Sequence, residues 1–261
     1  MAQQIPSTEP AGASAGAGME LRSVSRTYAD GVGVRDLSLS VAAGQVHALV
    51  GLNGAGKSTL MKLLLGMLRP DAGQVILCGH DVATTDAAVW SEVGQLVETP
   101  LVYAELTVAA NLAVNATLRG VSSGRREPVV RASVREFGLS AFVGKRARVL
   151  SSGNRQRLGL AAALQHHPRF VVLDEPTNAL DPAGTILLRD VLRQRAEEGA
   201  AILISSHHLD EVARVADRIT VMNAGRLIGG LDPRGAELEQ AFFALVLRDD
   251  EALGEQRGDG S

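Results

Sequence analysis

Gly51-Leu52-Asn53-Gly54-Ala55-Gly56-Lys57-Ser58-Thr59 is the stretch that decides how the chain folds. It has the form G-x-x-x-x-G-K-S/T, which is a phosphate-binding loop when a strand precedes it and a helix follows. Both flanks comply. Val46-His47-Ala48-Leu49-Val50 is a short apolar run of buried-strand length, and Leu60, Met61, Leu63, Leu64 and Leu65 form a strongly apolar helical stretch. Gly51, Gly54 and Gly56 let backbone N–H groups wrap an anion without Cβ interference, and the helix opening here turns its positive end to the same point. Lys57 is placed to reach the β- and γ-phosphates, and Ser58 offers a hydroxyl to Mg²⁺. Asn53, Ala55 and Thr59 complete this phosphate-binding segment. A glycine turn that binds nothing is the alternative, and Gly-Lys-Ser between strand and helix argues against it. The chain reads as a nucleotide binder.

With 261 residues the chain is long enough to bury a substantial core. Hydrophobic residues make up 46% but aromatics only 3%, so that core rests on Leu, Val, Ala and Ile. A net charge of −3 gives no electrostatic case for a nucleic-acid partner. One cysteine, Cys78, excludes an internal disulfide and a cysteine metal cluster. No apolar run approaches the roughly 20 residues that span a bilayer, and the N-terminus has neither the basic start nor the apolar core of a secretory signal. The expectation is a soluble, cytoplasmic chain.

Residues 1–18 are mostly Ala, Gly, Ser, Pro and Gln and read as a disordered leader. Order is expected from Met19, with alternating strands near 19–24 and 34–41 and a turn at Asp30-Gly31-Val32-Gly33 between them. After the phosphate loop, residues 74–78 read as a strand and 105–165 as helical, with a break at 121–124. Phe170-Val171-Val172-Leu173 and Ala201-Ile202-Leu203-Ile204 are further buried strands, separated by a helical stripe through Ile186, Leu187, Val191 and Leu192. This alternation after an early β-rich stretch predicts an α/β fold. From Gly229 the apolar pattern weakens. Residues 231–261 read as an extension with a short amphipathic piece at 238–247, then a frayed acidic tail.

The strand at 170–173 delivers Asp174 and Glu175 at its exit. Asp174 there holds Mg²⁺ directly or through water, and Glu175 polarises a water against the γ-phosphate. Alone, such a pair reads equally as a helix-capping turn. The phosphate loop, and Pro176-Thr177-Asn178-Ala179-Leu180-Asp181 following, favour the site. Upstream lies Leu150-Ser151-Ser152-Gly153-Asn154-Arg155-Gln156-Arg157, a Ser/Gly helix start whose donors favour an anion.

At this point the chain resembles the ATP-binding subunits of ABC transporters, over roughly residues 19–230. Leu150 to Asn154 is similar to the family's LSGGQ signature, departing from it at Ser152 and Asn154. The resemblance implies a P-loop NTPase core with an antiparallel β subdomain and an inserted helical subdomain at about 96–165. It implies that Ser151 and Gly153 contact the γ-phosphate held by another subunit, and that Tyr28 stacks on adenine. Asn154 and Asp181, the latter in a segment matching the D-loop, would lie at a dimer interface. His207, after the strand at 202–204, takes the place of the switch histidine beside Glu175 and Lys57 in catalysis. ATP and Mg²⁺ are the implied ligands.

Val93-Gly94-Gln95-Leu96-Val97-Glu98 aligns to the family pattern hydrophobic-Gly-x-hydrophobic-Pro-Gln, which puts Glu98 in the position that touches the metal and couples to the membrane subunit. Gln95 remains the alternative. Glu98, Pro100, Tyr103, Leu106 and Thr107 together resemble the corresponding segment of bacitracin- and lantibiotic-resistance ATPases. The resemblance thus implies a homodimer or heterodimer, peripheral on the inner membrane face, docked near residues 98–103 to a separate transmembrane permease, and exporting an antibiotic, a lantibiotic-like peptide or a hydrophobic drug. A soluble ABC ATPase acting as a regulatory or assembly factor is the rival reading. A translation factor would carry two such domains, and a DNA-repair relative would insert heptads between Lys57 and Asp174.

Overall fold

The computed structural model describes residues 17–29 and 32–258. In chain order, β1 (Ala17–Thr27), β2 (Gly33–Ala42), β3 (Val46–Val50) and α1 (Lys57–Leu64) lead into β4 (Ala72–Leu77), β5 (His80–Asp81), α2 (Ala87–Ser91) and β6 (Val93–Leu96). Helices α3 (Val108–Leu118), α4 (Ser123–Glu136) and α5 (Ser152–Leu164) follow. The chain then runs through β7 (Phe170–Leu173), α6 (Pro182–Glu197), β8 (Ala201–Ser206), α7 (Leu209–Ala213), β9 (Arg218–Asn223), β10 (Arg226–Leu231) and α8 (Leu238–Gly258).

Two sheets result, one of order β2-β1-β4-β5 and one of order β10-β9-β3-β8-β7-β6. The first is antiparallel throughout. The second is parallel except for its β10 edge. Its central strands β3, β8 and β7 are buried at every position because both faces are covered, and they are apolar except for His47 on β3 and Ser205 and Ser206 at the end of β8. Val171, Leu173, Ile202 and Ile204 pack into a core shared with α3 to α6, whereas Phe170, Val172, Ala201 and Leu203 pack with α1 and the antiparallel sheet. Helix α1 has only eight residues, too short to persist alone, so tertiary packing must hold it. Leu60, Leu63 and Leu64 are completely buried, at roughly 1.5–3 kcal/mol each.

Some elements depart from expectation. Residues 1–16 of the leader reading and the Asp30-Gly31 turn lie outside the described residues, but Gly18 belongs to β1, where an ideal Cβ would sit 2.3 Å from the Ala201 Cβ. The break at 121–124 is shorter than the residue types suggest, because α4 begins at Ser123. The acidic tail is not frayed through the described residues, since α8 continues to Gly258. Phe242 and Val246 are buried, while Asp249 and Asp250 accept hydrogen bonds from Asn223 Nδ2 at 3.0 and 2.8 Å. The helical region is tied to the core by Arg195, which is 1% exposed and donates to both oxygens of Glu136 at 2.7 and 2.9 Å.

His47 sits on β3 with no exposure, its Nε2 2.8 Å from Thr220 Oγ1. Burial, reinforced by Arg218, lowers its pKa from 6.5 to about 4, and burial lowers His166 to about 4 as well. The unfolded chain therefore binds more protons between those values. The stability from both groups is fully present above about pH 6.5 and is lost as pH falls towards 4. His47→Gln is expected to flatten the decline in urea midpoint between pH 7 and 5, leaving the His166 share. An unchanged decline would contradict this.

Candidate nucleotide site

Parallel register builds the site. Leu173 pairs with Ile204, and Leu49 with Ser205, so the exits of β3, β8 and β7 lie side by side. They deliver the phosphate loop, Ser205 and Asp174. Gly54 and Gly56 have φ of 82° and 108°, left-handed values that shape the loop and suit glycine. Lys57 is buried and donates from Nζ to Gly51 O at 2.7 Å and Leu52 O at 3.3 Å. Burial pushes its ammonium below the usual lysine range, against the pull of Glu175 and Asp174.

Asp174 is gripped from two sides. Ser58 Oγ donates to Oδ2 at 2.6 Å, and Ser205 Oγ donates to Oδ1. The same Ser205 oxygen accepts the Glu175 N–H at 2.8 Å. Glu175 holds φ of 46°, uncommon for a residue with a Cβ and worth about 1–3 kcal/mol of strain. Its side chain lies 2.9 Å from His207 Nδ1 and 3.9 Å from Lys57 Nζ. Lys57, Ser58, Asp174, Glu175 and His207 thus form one connected cluster. The donor set fits Mg²⁺, because two hard oxygens on adjacent elements converge at Ser58 and Asp174. Among the described residues no three His, Cys, Asp or Glu side chains form a metal cluster, so phosphate and water would supply the remaining ligands.

Other candidates sit apart. Ser151 caps α5, its Oγ accepting the Asn154 N–H at 3.3 Å, and it is exposed. Among the described residues no hydrogen bond or ion pair joins Ser151, Gly153 or Asn154 to the cluster around Lys57. An ideal Cβ on Gly153 would stand 2.7 Å from Ala179 O, so the signature turn lies directly on the segment after Glu175. Gln156 Nε2 donates to Pro176 O at 2.9 Å, and Arg157 Nη2 to Asp181 Oδ1 at 2.5 Å. That bond, with the Gly184 N–H, holds the Asp181 carboxyl below its usual range. Tyr28 is 37% exposed at the end of the β1 strand, with the Arg26 guanidinium 5.8 Å from its ring centroid.

Glu98 lies two residues beyond β6, at the strand exits, with φ of 68° and an ion pair to Lys62 one turn after Ser58. Gln95 is inside β6 opposite Val172, and its Oε1 is buried without a hydrogen-bond partner. Sequence reasoning missed the roles of Ser205 and Lys62. It also missed the β9–β10 hairpin turn at Gly225. There the N–H donates to Ala55 O and the carbonyl accepts from the Arg35 N–H, both at 2.9 Å. Gly225 has φ of 77°, and an ideal Cβ there would meet Gly33 O at 2.0 Å. An Asn-Ala-Gly turn between two apolar runs was the available signal.

A family model described as "ABC transporter" matches residues 34–178. The chain belongs to that family, as an ATP-hydrolysing, ATP-binding subunit. It is 34% identical over 230 residues to a lantibiotic transport ATP-binding protein, SrtF, of Streptococcus pyogenes, covering 88% of this chain and 97% of that one. With a bacitracin transport ATP-binding protein, BcrA, of Enterococcus faecalis it shares 38% identity, covering 80% and 68%. A solved ATP-binding subunit of an ABC transporter superposes with a TM-score of 0.80 at 28% identity, covering 87% of this chain and 98% of that one. No helix among the described residues is long and apolar enough to cross a membrane.

Ser205→Ala removes a donor to Asp174 and the acceptor of the Glu175 N–H. An unpaired buried donor costs about 1–3 kcal/mol, so kcat for ATP is expected to fall about tenfold or more with KM little changed. A parental kcat would contradict the role.

Proposed function

We propose that this chain hydrolyses ATP at a site completed by a second ATPase subunit, identical or related, and that the cycle drives a separate permease exporting a peptide-like or other hydrophobic antibiotic. The single observation that carries the hydrolytic reading is the posture of Glu175, held between Ser205, His207 and Lys57 at the exit of β7. In that posture its carboxylate polarises a water. Lys57 and the loop amides hold the phosphates, and His207 steadies Glu175. Ser58 and Asp174 would hold Mg²⁺, which would supply charge neutralisation on the bound phosphates. Tyr28 offers a face for adenine.

Support for a two-subunit site comes from Ser151, exposed at the start of α5 with its Oγ turned to the Asn154 N–H of its own turn, and from half-buried Gly153 beside it. Glu98 is supported as the coupling residue, and as a metal-facing one, by its place at the strand exits. The loop after it packs on α5, where an ideal Cβ on Gly159 would lie 2.5 Å from the Pro100 Cβ. Exposed Leu101 and Tyr103 then offer a docking surface for a cytoplasmic-side permease contact. The named activities of the lantibiotic and bacitracin relatives favour export of such cargo.

The test uses a sensitive host carrying this gene together with any permease gene that flanks it. Tolerance to a panel of peptide antibiotics and hydrophobic drugs is expected to rise, and Glu175→Gln should abolish both the gain and about 10²–10⁴-fold of turnover while ATP still binds. Unchanged tolerance with an active ATPase would sink the export reading. Parental turnover in Glu175→Gln would sink the hydrolytic one.

A further inference from the structure

The phosphate loop rests on the turn between β9 and β10. An ideal Cβ on Gly51 would stand 2.3 Å from Met222 O, and one on Gly56 would stand 3.5 Å from Gly225 Cα. Between these two points Ala55 O accepts the Gly225 N–H at 2.9 Å. Gly51, Ala55 and Gly56 are therefore shaped against residues 222–225. Met222 is steadied by the sheet, since β9 pairs with β3 as far as Val221 and Val50. The turn itself lies beyond that pairing and is left to its own residues, to the Arg35 N–H on Gly225 O, and to α8.

Its own residues do not favour the shape they hold. Ala224 and Gly225 both have positive φ, 43° and 77°, the pattern of a tight two-residue hairpin turn. Asn, Asp or Gly suits the first of these positions. Ala224 takes the left-handed region although its Cβ there crowds the following carbonyl oxygen. The restraint comes from α8. Phe242 and Val246, one turn apart, are buried, and the same helix face continues into Asp249 and Asp250 beside the hairpin. Asn223 and Arg226 are the paired residues on either side of the turn. Asp249 takes both, its Oδ2 accepting from Asn223 Nδ2 at 3.0 Å and its Oδ1 from Arg226 Nη2 at 2.6 Å. Asp250 Oδ1 is a second acceptor for Asn223, at 2.8 Å. One carboxylate thus closes the base of the turn. The Asp249 side chain is 14% exposed, so solvent screens these bonds little.

We propose that Asp249 is a positioning residue for ATP binding, which holds the strained Ala224-Gly225 turn closed and thereby keeps Ala55 and Gly56 in the shape that wraps phosphate. The C-terminal helix is in this way part of the nucleotide-binding apparatus, although no ATP-binding motif lies within it. The effect falls on affinity and not on the chemical step, because Asp174 and Glu175 are fixed by Ser58, Ser205 and His207, all outside the hairpin. The inference needs neither a second subunit nor a permease.

The experiment measures the dissociation constant of the full chain for N-methylanthraniloyl-ADP with Mg²⁺, by fluorescence. Asp249→Ala is expected to weaken binding about tenfold through two lost charge-assisted bonds. Its kcat at saturating ATP should stay within about twofold of parental. Ala224→Asn, at an exposed position, creates the Asn-Gly pair that holds such a turn unaided, so Asp249→Ala with Ala224→Asn should recover affinity to within about twofold. A general loosening of α8 would not be mended from the hairpin. Amide exchange at Gly225 should quicken in Asp249→Ala and slow again in the double variant. Should Asp249→Ala not fold, Arg226→Gln breaks the same ion pair from the hairpin side and should weaken binding about threefold. Unchanged affinity in both single variants, a loss confined to kcat, or a double variant that stays weak would each overturn the proposal.

Discussion

Asp174 is fixed by two hydroxyls that arrive from opposite directions, Ser58 from the first turn of α1 and Ser205 from the end of β8. The rest of the site depends on that arrangement. Ser205 passes the constraint on to Glu175 through the backbone N–H, which holds a left-handed conformation the residue would not choose alone. The strand order β3-β8-β7 makes this reachable, since in-register parallel strands end at one level. Ligand sites at the carboxyl ends of such strands follow from the same geometry.

A second set of contacts keeps the loop side of the site in place. Gly225 bridges Ala55 to Arg35 and so locks the phosphate loop to the antiparallel sheet. The hairpin carrying Gly225 is itself held from outside by α8, where Arg226 Nη2 donates to Asp249 Oδ1 at 2.6 Å. On the other flank, Gln156 and Arg157 bind the segment after Glu175 to α5, which ties that segment to the helix opened by the exposed Ser151 turn. Arg195 and Glu136 tie α6 to α4.

What was legible in the sequence is what depends on neighbours along the chain. The phosphate loop, the doubly buried strands at 170–173 and 201–204, and the Asp174-Glu175 exit all carry local patterns. Ser205 does not, because its partner Asp174 is 31 residues away and meets it only through β7–β8 register. The same holds for Glu98 with Lys62 and for Glu136 with Arg195, pairs separated by 36 and 59 positions. The acidic composition of residues 249–250 suggested fraying for lack of a visible partner, and the partners are Asn223 and Arg226 on another element. A cavity behind Ser205 is likewise a product of packing between α6 and α7, and no spacing announces it.

On the proposed reading, one chain carries both halves of an ATP site, but among the described residues no bond joins Ser151 or Gly153 to the cluster around Lys57, so that catalysis needs two chains. Mixing two inactive variants tests it directly. Lys57→Ala keeps the Ser151 turn and loses the phosphate grip, whereas Ser151→Arg keeps the grip and blocks closure. In a mixed pair, one site combines an intact Lys57 with the other chain's intact Ser151. Equal mixing should therefore restore about a quarter of the parental ATPase rate, as random pairing of two-fold dimers dictates, while each variant alone stays near background. A mixture no more active than its parts, or a Ser151→Arg chain fully active as a monomer, would contradict the account.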